Sequence, residues 1–71
     1  MTQEEAIEHN EKVIRNIIIT LIKSRLADPV RLITDKAYAT EQVMTYIQAA
    51  NITREILYMP KLYLINIDEV D

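Results

Sequence analysis

The sequence has 71 residues, a net charge of −3, one histidine, and neither cysteine nor glycine. A single domain over residues 1–71 of this length builds a core that supplies only about 3 to 5 kcal/mol unless a disulfide, a metal or association adds to it. The missing cysteines exclude disulfides and thiolate metal sites, and the missing glycines exclude phosphate-binding loops, dinucleotide-binding fingerprints and nucleophile elbows. Association is therefore the expected source of additional stability, and an exceptionally well packed monomer is the alternative.

The first predicted element is a long helix from Gln3 to about Leu26, which contains no helix-breaking residue. Thr2 is a suitable N-cap, and two glutamates follow in the first turn, where the helix dipole favours carboxylates. One stripe of the helix is apolar and consists of Ile7, Ile14, Ile17, Ile18, Leu21 and Ile22. Val13, Ile19 and Leu26 lie off that stripe, so we expect more apolar surface than one packed neighbour covers.

A short second helix is predicted at PVRLIT, residues 29–34. Asp28 suits the N-cap and Pro29 suits the first helical position, so the first helix is expected to end near Ala27. Residues 36–39 are predicted to be a connection.

Thr40 is then predicted to cap a third helix, whose inward face is formed by Val43, Met44, Ile47 and Ala50. The next position of that face is Arg54, so the apolar register is lost there. We favour a break or kink at Asn51 and a separate fourth helix, ITREILYM, over one helix that runs on to Met59.

Pro60 ends the helical part, since the residue before a proline avoids the α region. The following segment, KLYLINIDEVD, is rich in β-branched and aromatic residues and partly alternates. It indicates either a strand of about six residues or an extended tail. A lone strand is not stable, so it has to pair with its twin in a dimer, join the sheet of a partner, or lie on the helices of its own chain.

No catalytic, cofactor, metal or small-molecule site is predicted, and the chain is not expected to be an enzyme. A serine triad would need Ser24 and His9, the only residues of their types. They are separated along one predicted helix by roughly 22 Å and cannot meet within the chain.

A DNA-binding regulator is one alternative. Residues 43–64 resemble a helix-turn-helix with its turn at Asn51, similar to small phage excisionase-type DNA readers over about half of the chain. In that interpretation Thr53, Arg54 and Lys61 contact DNA. An asparagine replaces the customary turn glycine, and an acidic chain with two bases on its reading element neutralises few phosphates, which argues against a nucleic-acid partner.

The favoured fold class is mostly α, with a long N-terminal helix, a short second helix, one or two further helices and the C-terminal strand or tail. The favoured function is a non-enzymatic protein-binding regulator or inhibitor that forms a homodimer or binds another protein; a structural assembly subunit is the other alternative. The predicted interface consists of Val13, Ile17, Ile19, Tyr58, Met59, Tyr63, Ile65 and Ile67.

The expected location is the cytoplasm, without membrane contact. The first eleven residues carry four glutamates and no base, whereas a secretory signal begins with basic residues, and Lys23 and Arg25 interrupt the apolar run before membrane-spanning length. The small size, the lack of glycine and the abundance of isoleucine, asparagine and lysine would suit a phage or mobile-element accessory protein.

Overall fold

The fold is mostly α, as predicted. A computed structural model describes residues 1–70, which form three α-helices and one 3-10 turn and contain no β-strand. Helix α1 spans Gln3–Lys23, α2 spans Pro29–Thr34 and α3 spans Lys36–Ile56, and the 3-10 turn spans Ile67–Glu69.

The N-terminus of α1 is closed by the predicted cap. The Thr2 hydroxyl accepts a hydrogen bond from the Glu5 amide, and the Glu5 carboxylate accepts one from the Thr2 amide, each at 3.1 Å. The bond from the Thr2 backbone is the main reason why the pKa of Glu5 lies below its ordinary value. This capping box satisfies two amides that a helix start leaves without partners.

Helix α2 has the predicted bounds, because the Asp28 carboxylate accepts bonds from the Val30 and Arg31 amides. The start of α3 is a correction. Asp35 closes α2 and also caps α3 by accepting a bond from the Tyr38 amide at 3.1 Å. Residues 36–39 are therefore helical, and Thr40 is not a cap, since its hydroxyl donates back to the Lys36 carbonyl.

The bond from the Tyr38 amide is the main cause of a lowered pKa at Asp35. This carboxylate, like that of Glu5, favours the folded chain at pH values above its ordinary pKa. The contribution is lost as the pH falls through the lowered value.

Both long helices end with a residue in the left-handed region that is not glycine. Arg25 has a φ of 58° after α1 and Tyr58 has a φ of 55° after α3. In each case the next amide bonds back five residues, from Leu26 to the Leu21 carbonyl and from Met59 to the Arg54 carbonyl. These are Schellman caps, and the first one ends α1 at Lys23, before the predicted end.

Replacing Arg25 by glycine is expected to stabilise the fold by about 1 kcal/mol, because glycine has no Cβ to strain this conformation. Urea unfolding at fixed protein concentration measures the change. Arg25→Ala is the matched control, since it removes the same charged side chain and keeps the Cβ. Equal stability of the two variants would contradict the assigned cause.

The predicted break at Asn51 is wrong, because α3 passes through this residue without interruption. The side chain of Asn51 points to the C-terminal segment, where it donates to the Leu62 carbonyl at 2.8 Å and accepts from the Leu62 amide at 2.7 Å. An asparagine that has such tertiary partners does not need to bond to its own backbone and end the helix.

The C-terminal segment is an extended tail that lies on the helices, which was the third of the predicted outcomes; the strand prediction is wrong. Asn10 of α1 holds Ile65 through two bonds, at 2.8 Å to its carbonyl and 2.7 Å from its amide. The ring of His9 stacks on Tyr63, with 4.6 Å between the centroids. Two asparagine amides thus provide the backbone pairing that a neighbouring strand would otherwise supply.

The helices meet in a small core, formed within residues 1–70 by the buried side chains of Ile17, Leu21, Leu32, Val43 and Ile47. The molecule measures 36 × 33 × 16 Å along its principal axes. A helix of 21 residues is about 32 Å long, so the two long helices account for the wide dimensions. The third dimension allows only about two helix layers, which leaves much of each helix uncovered.

Candidate protein interface

The chain exposes more surface than its mass requires. Its accessible surface is 5664 Å², and a compact monomer of 8.3 kDa is expected to expose about 4,600 Å². The Cα radius of gyration is 13.1 Å, against about 11 Å for a compact domain of this length. This exposed surface includes large apolar side chains that the fold leaves in solvent.

Two residues of the predicted interface lie inside the fold. Ile17 is 3 % exposed and belongs to the core, and Val13 is half-buried and packs against that core. Ile17 is on the side of α1 that meets α3, so it is not available to a partner. Its assignment to the interface is therefore corrected.

Three further predicted residues lie in the tail. Tyr63 is exposed but stacks on His9, while Ile65 and Ile67 are half-buried. The backbone of Ile65 is already paired with Asn10. These residues hold the tail on α1, and the structure does not present them together as one open surface.

The remaining predicted residues are exposed in two separate places. Ile19 is on the outer side of α1, half a turn or more from Ile17, and is 42 % exposed. Tyr58 and Met59 follow the C-terminus of α3, and Tyr58 is 97 % exposed. A bulky residue with positive φ and no intrachain packing suggests a function for its position.

Tyr58 and Met59 belong to a larger apolar surface that the sequence prediction missed. We call it the α3 patch; it consists of Ile52, Ile56, Leu57, Tyr58 and Met59, all of which are exposed. Ile52 follows Val43 by nine residues, or about 2.5 helical turns, so it faces away from the core that Val43 enters. Ile52 and Ile56 are therefore on the outer side of α3, and Leu57, Tyr58 and Met59 continue the patch beyond the end of the helix.

The spacing of residues on this outer side is that of a helix-pairing seam. Thr45, Ala49, Ile52 and Ile56 follow one another at intervals of four, three and four residues, and all are exposed. Alternating three- and four-residue steps keep one stripe directed at a neighbouring helix. The seam is independent of the inward face, which Val43 and Ile47 form.

An open groove runs beside the seam, and we call it the α3 groove. It has a volume of about 500 Å³ and is lined by Leu26, Tyr46, Ala49, Ala50, Thr53, Arg54 and Met59. Ala49 belongs to both the seam and the groove, and Met59 belongs to both the α3 patch and the groove. The lining includes the small side chains of Ala49, Ala50 and Thr53, so the groove has room for a large apolar group, as the pockets that receive anchoring side chains in protein interfaces do.

A second apolar surface lies on α2, where Val30 and Ile33 are 66 % and 81 % exposed. They are three residues apart, so they share one side of the helix. We call this pair the α2 face. Its opposite side contributes Leu32 to the core, and Arg31 lies over the ring of Tyr38 at 3.9 Å from the centroid.

The charged groups beside the α3 patch have partners in the chain. Lys61 pairs with Glu55 at 3.7 Å, and the Arg54 guanidinium donates to the Pro60 carbonyl at 2.8 Å. Of the three residues predicted to contact DNA, Arg54 and Lys61 are thus engaged, and Thr53 lines the α3 groove. Because α3 is continuous, the turn that a helix-turn-helix requires at Asn51 is also absent.

The missed residues had a signal in the sequence. The predicted break at Asn51 assigned Ile52 and Ile56 to a separate short helix and so concealed their alignment with Thr45 and Ala49. One helix continued through Asn51 makes the seam visible by counting alone. The contact between Asn51 and Leu62 that keeps the helix continuous has no such local signal.

Among residues 1–70, none of the helices combines the length and the apolar character that crossing a membrane requires. No family model, no curated protein and no solved structure matches this chain. Its function therefore has to be inferred from its own residues and their geometry.

Proposed function

We propose that this protein is a non-enzymatic regulator or inhibitor that binds another protein through its exposed apolar helix faces. The observation that supports the proposal is the surface surplus of about 1,100 Å² over a compact monomer of the same mass. One partner in a standard protein interface buries about 800 Å². The surplus is thus large enough for one such contact.

The distribution of the apolar side chains also supports this function. The α3 patch brings five large apolar residues together within eight positions of the chain. Contiguous apolar surface of this kind marks interaction sites, whereas single exposed apolar residues need no explanation. The α2 face adds a second, smaller surface on a different helix.

A quantitative capture experiment tests the proposal. The tagged chain and three variants are incubated with lysate of the source cells, and bound proteins are quantified. We expect Ile52→Glu/Ile56→Glu or Val30→Glu/Ile33→Glu to lose at least about tenfold of a specific partner, because a charge would be buried without a counter-ion in the contact. Ala37→Glu/Thr40→Glu adds the same charge at exposed positions near the N-terminus of α3, about three turns from Ile52, and is expected to retain capture.

Equal capture by all four proteins would contradict the use of these two faces. A loss confined to Ile19→Glu, a fifth protein in the series, would instead assign the interface to the outer side of α1, as the sequence predicts. The stoichiometry of a captured complex separates a regulator from a structural assembly subunit, since a subunit repeats along its assembly. A salt titration with duplex DNA tests the DNA-binding alternative, and binding that weakens steeply with salt would favour it.

A further inference from the structure

We infer that the groove between α1 and α3, in which the C-terminal tail lies, is a binding site for an extended apolar peptide segment of another protein. The tail is the intramolecular occupant of this site, and a segment that fits better displaces residues 60–66 from it. We call the site the tail groove. It is separate from the α3 patch and the α2 face, so the inference goes beyond the proposed function.

The first argument is that the tail is attached to the helices as a bound peptide would be. Within residues 1–70, no backbone-to-backbone hydrogen bond joins residues 60–66 to a helix. Their bonds to the helices come from helix side chains: Arg54 to the Pro60 carbonyl, Asn51 to Leu62, His9 to the Tyr63 carbonyl and Asn10 to Ile65. Release of the segment therefore breaks no hydrogen bond within a helix backbone.

The second argument is that the two asparagines recognise the backbone of the tail. Each donates to the carbonyl and accepts from the amide of one residue, Asn51 at Leu62 and Asn10 at Ile65. Every residue except proline offers this pair of groups, so these contacts do not depend on the tail sequence. When extended segments are recognised, main-chain bonds supply affinity and side-chain pockets supply specificity.

The third argument is that the tail underfills its side-chain positions. Leu64 borders an open cavity of about 130 Å³, whose lining includes Ile14, Ile18, Val43 and Met44. Leu62 borders a second open cavity of about 240 Å³, which also lies between α1 and α3. Side chains next to unfilled space lose dispersion contacts on that side. A segment with a larger apolar side chain at the position of Leu64 would therefore make more contacts than the tail does.

These features define the segment that the tail groove accepts. It is extended and has large apolar side chains at two positions that are two residues apart, as Leu62 and Leu64 are. An aromatic residue lies between them and takes the place of Tyr63, whose ring stacks on that of His9 with 4.6 Å between the centroids. Proline is excluded at the positions of Leu62 and Ile65, because both residues donate their amides.

Peptide binding by the full-length chain tests the inference. The variant Leu62→Asp/Leu64→Asp places carboxylates where the tail meets the core, so it releases the tail and leaves the sequence of the helices unchanged. The probes are two labelled peptides, PKLYLINI from residues 60–67 and the same peptide with Leu64→Phe, and binding is followed by fluorescence polarisation. Circular dichroism checks that the variant remains helical.

We expect the released variant to bind the phenylalanine peptide at least about tenfold more tightly than the parent chain does, because the tethered tail competes at an effective concentration of the order of millimolar. The phenylalanine peptide is expected to bind about threefold or more tighter than PKLYLINI, because it fills the cavity. If PKLYLINI bound as tightly, the fitting occupant would be the tail itself, and the assignment to another protein would be overturned.

The backbone contacts have their own controls. Asn10→Ala/Asn51→Ala in the released variant is expected to weaken peptide binding at least about tenfold, because four hydrogen bonds are lost. N-methylation of the peptide at the position of Leu62 removes a bonded amide and is expected to weaken binding likewise. N-methylation at the position of Tyr63, whose amide has no acceptor within residues 1–70, is the matched control. Equal binding of both methylated peptides, or no peptide binding by a helical variant, would overturn the inference.

A second measurement uses the parent chain and does not depend on the folding of a variant. The isotope-labelled chain is titrated with unlabelled phenylalanine peptide to millimolar concentration, and hydrogen exchange is followed by NMR. The Leu62 and Ile65 amides of the chain are expected to lose protection, while the amides of α1 and α3 keep theirs. Tail amides that stay protected, or tail and helix amides that exchange together, would overturn the inference.

The results also separate this inference from the proposed function. A chain that binds no peptide but captures a protein through the α3 patch or the α2 face keeps the function and loses the inference. A chain that binds the peptide but captures nothing through either face does the reverse.

Discussion

Replacement of Ile17 by alanine is expected to lower the free energy of unfolding by about 2 to 4 kcal/mol. The side chain is 3 % exposed and is one of five that form the core within residues 1–70. Its truncation removes buried methyl groups and leaves a cavity that two crossing helices cannot easily close. A domain of this length is stable by only about 4 to 10 kcal/mol in total, so the loss is a large fraction.

The measurement is urea unfolding followed by circular dichroism, at one fixed protein concentration because association shifts apparent stability. Ile19→Ala is the matched control: it removes the same atoms two residues away, from a side chain that is 42 % exposed. We expect it to cost less than about 1 kcal/mol. If the two variants were equally stable, and Ile17→Ala altered association alone, Ile17 would belong to the interface that the sequence predicted.

Replacement of Asn51 by alanine is expected to destabilise the fold by about 2 to 3 kcal/mol. Its amide makes two hydrogen bonds to the Leu62 backbone, at 2.7 and 2.8 Å, in a part-buried position. Each bond contributes about 1 kcal/mol, and a donor left without a partner away from water adds a further penalty. Leu62 packs against the core, so release of the tail also exposes apolar surface.

Hydrogen exchange checks the mechanism as well as the energy. The Leu62 amide is expected to lose protection in Asn51→Ala, while Asn16→Ala, at an exposed asparagine of α1, leaves it protected. Asn51→Asp is the sharper variant. A carboxylate still accepts from the Leu62 amide but cannot donate to the Leu62 carbonyl, so its two oxygens face another acceptor. An aspartate variant as stable as the parent would contradict the paired contact.

The loss of Asn51 is expected to act on the tail more than on the helix. Asparagine has a lower helix propensity than alanine, so α3 by itself gains from the substitution. A net destabilisation would show that the tertiary contact outweighs the local preference. This is the same balance that makes the sequence misleading at this position.

Local signals were sufficient wherever neighbouring residues alone decide the structure. Asp28 and Pro29 set the start of α2, and Thr2 with Glu5 sets the start of α1. Of the four predicted inward positions of α3, Val43 and Ile47 are buried as expected and Ala50 is half-buried, whereas Met44 is exposed. In these places the side chain that acts lies within one turn of the backbone it affects.

Between α2 and α3 a local signal was present but was assigned to the wrong residue. Asp35 and Thr40 are both acceptable caps by type. The aspartate acts first because its carboxylate reaches the Tyr38 amide, and the ring of Tyr38 is then held between Arg31 and the Asp28 amide. The hydrogen bond from the Asp28 amide to the Tyr38 hydroxyl joins residues ten positions apart. The residues next to Asp35 and Thr40 therefore could not show which of these two caps α3.

The sequence by itself determined that the chain is helical, where its first two helices begin and that apolar surface exceeds what so short a chain can bury. Only the tertiary structure decided the rest. Asn10 and Asn51 reach backbone groups that are 55 and 11 residues away, so they keep α3 continuous and hold the tail in place of a strand. Contacts at that separation depend on how the helices are placed in space, and this placement also turned Ile17 inward and left Ile52 and Ile56 on the outer side.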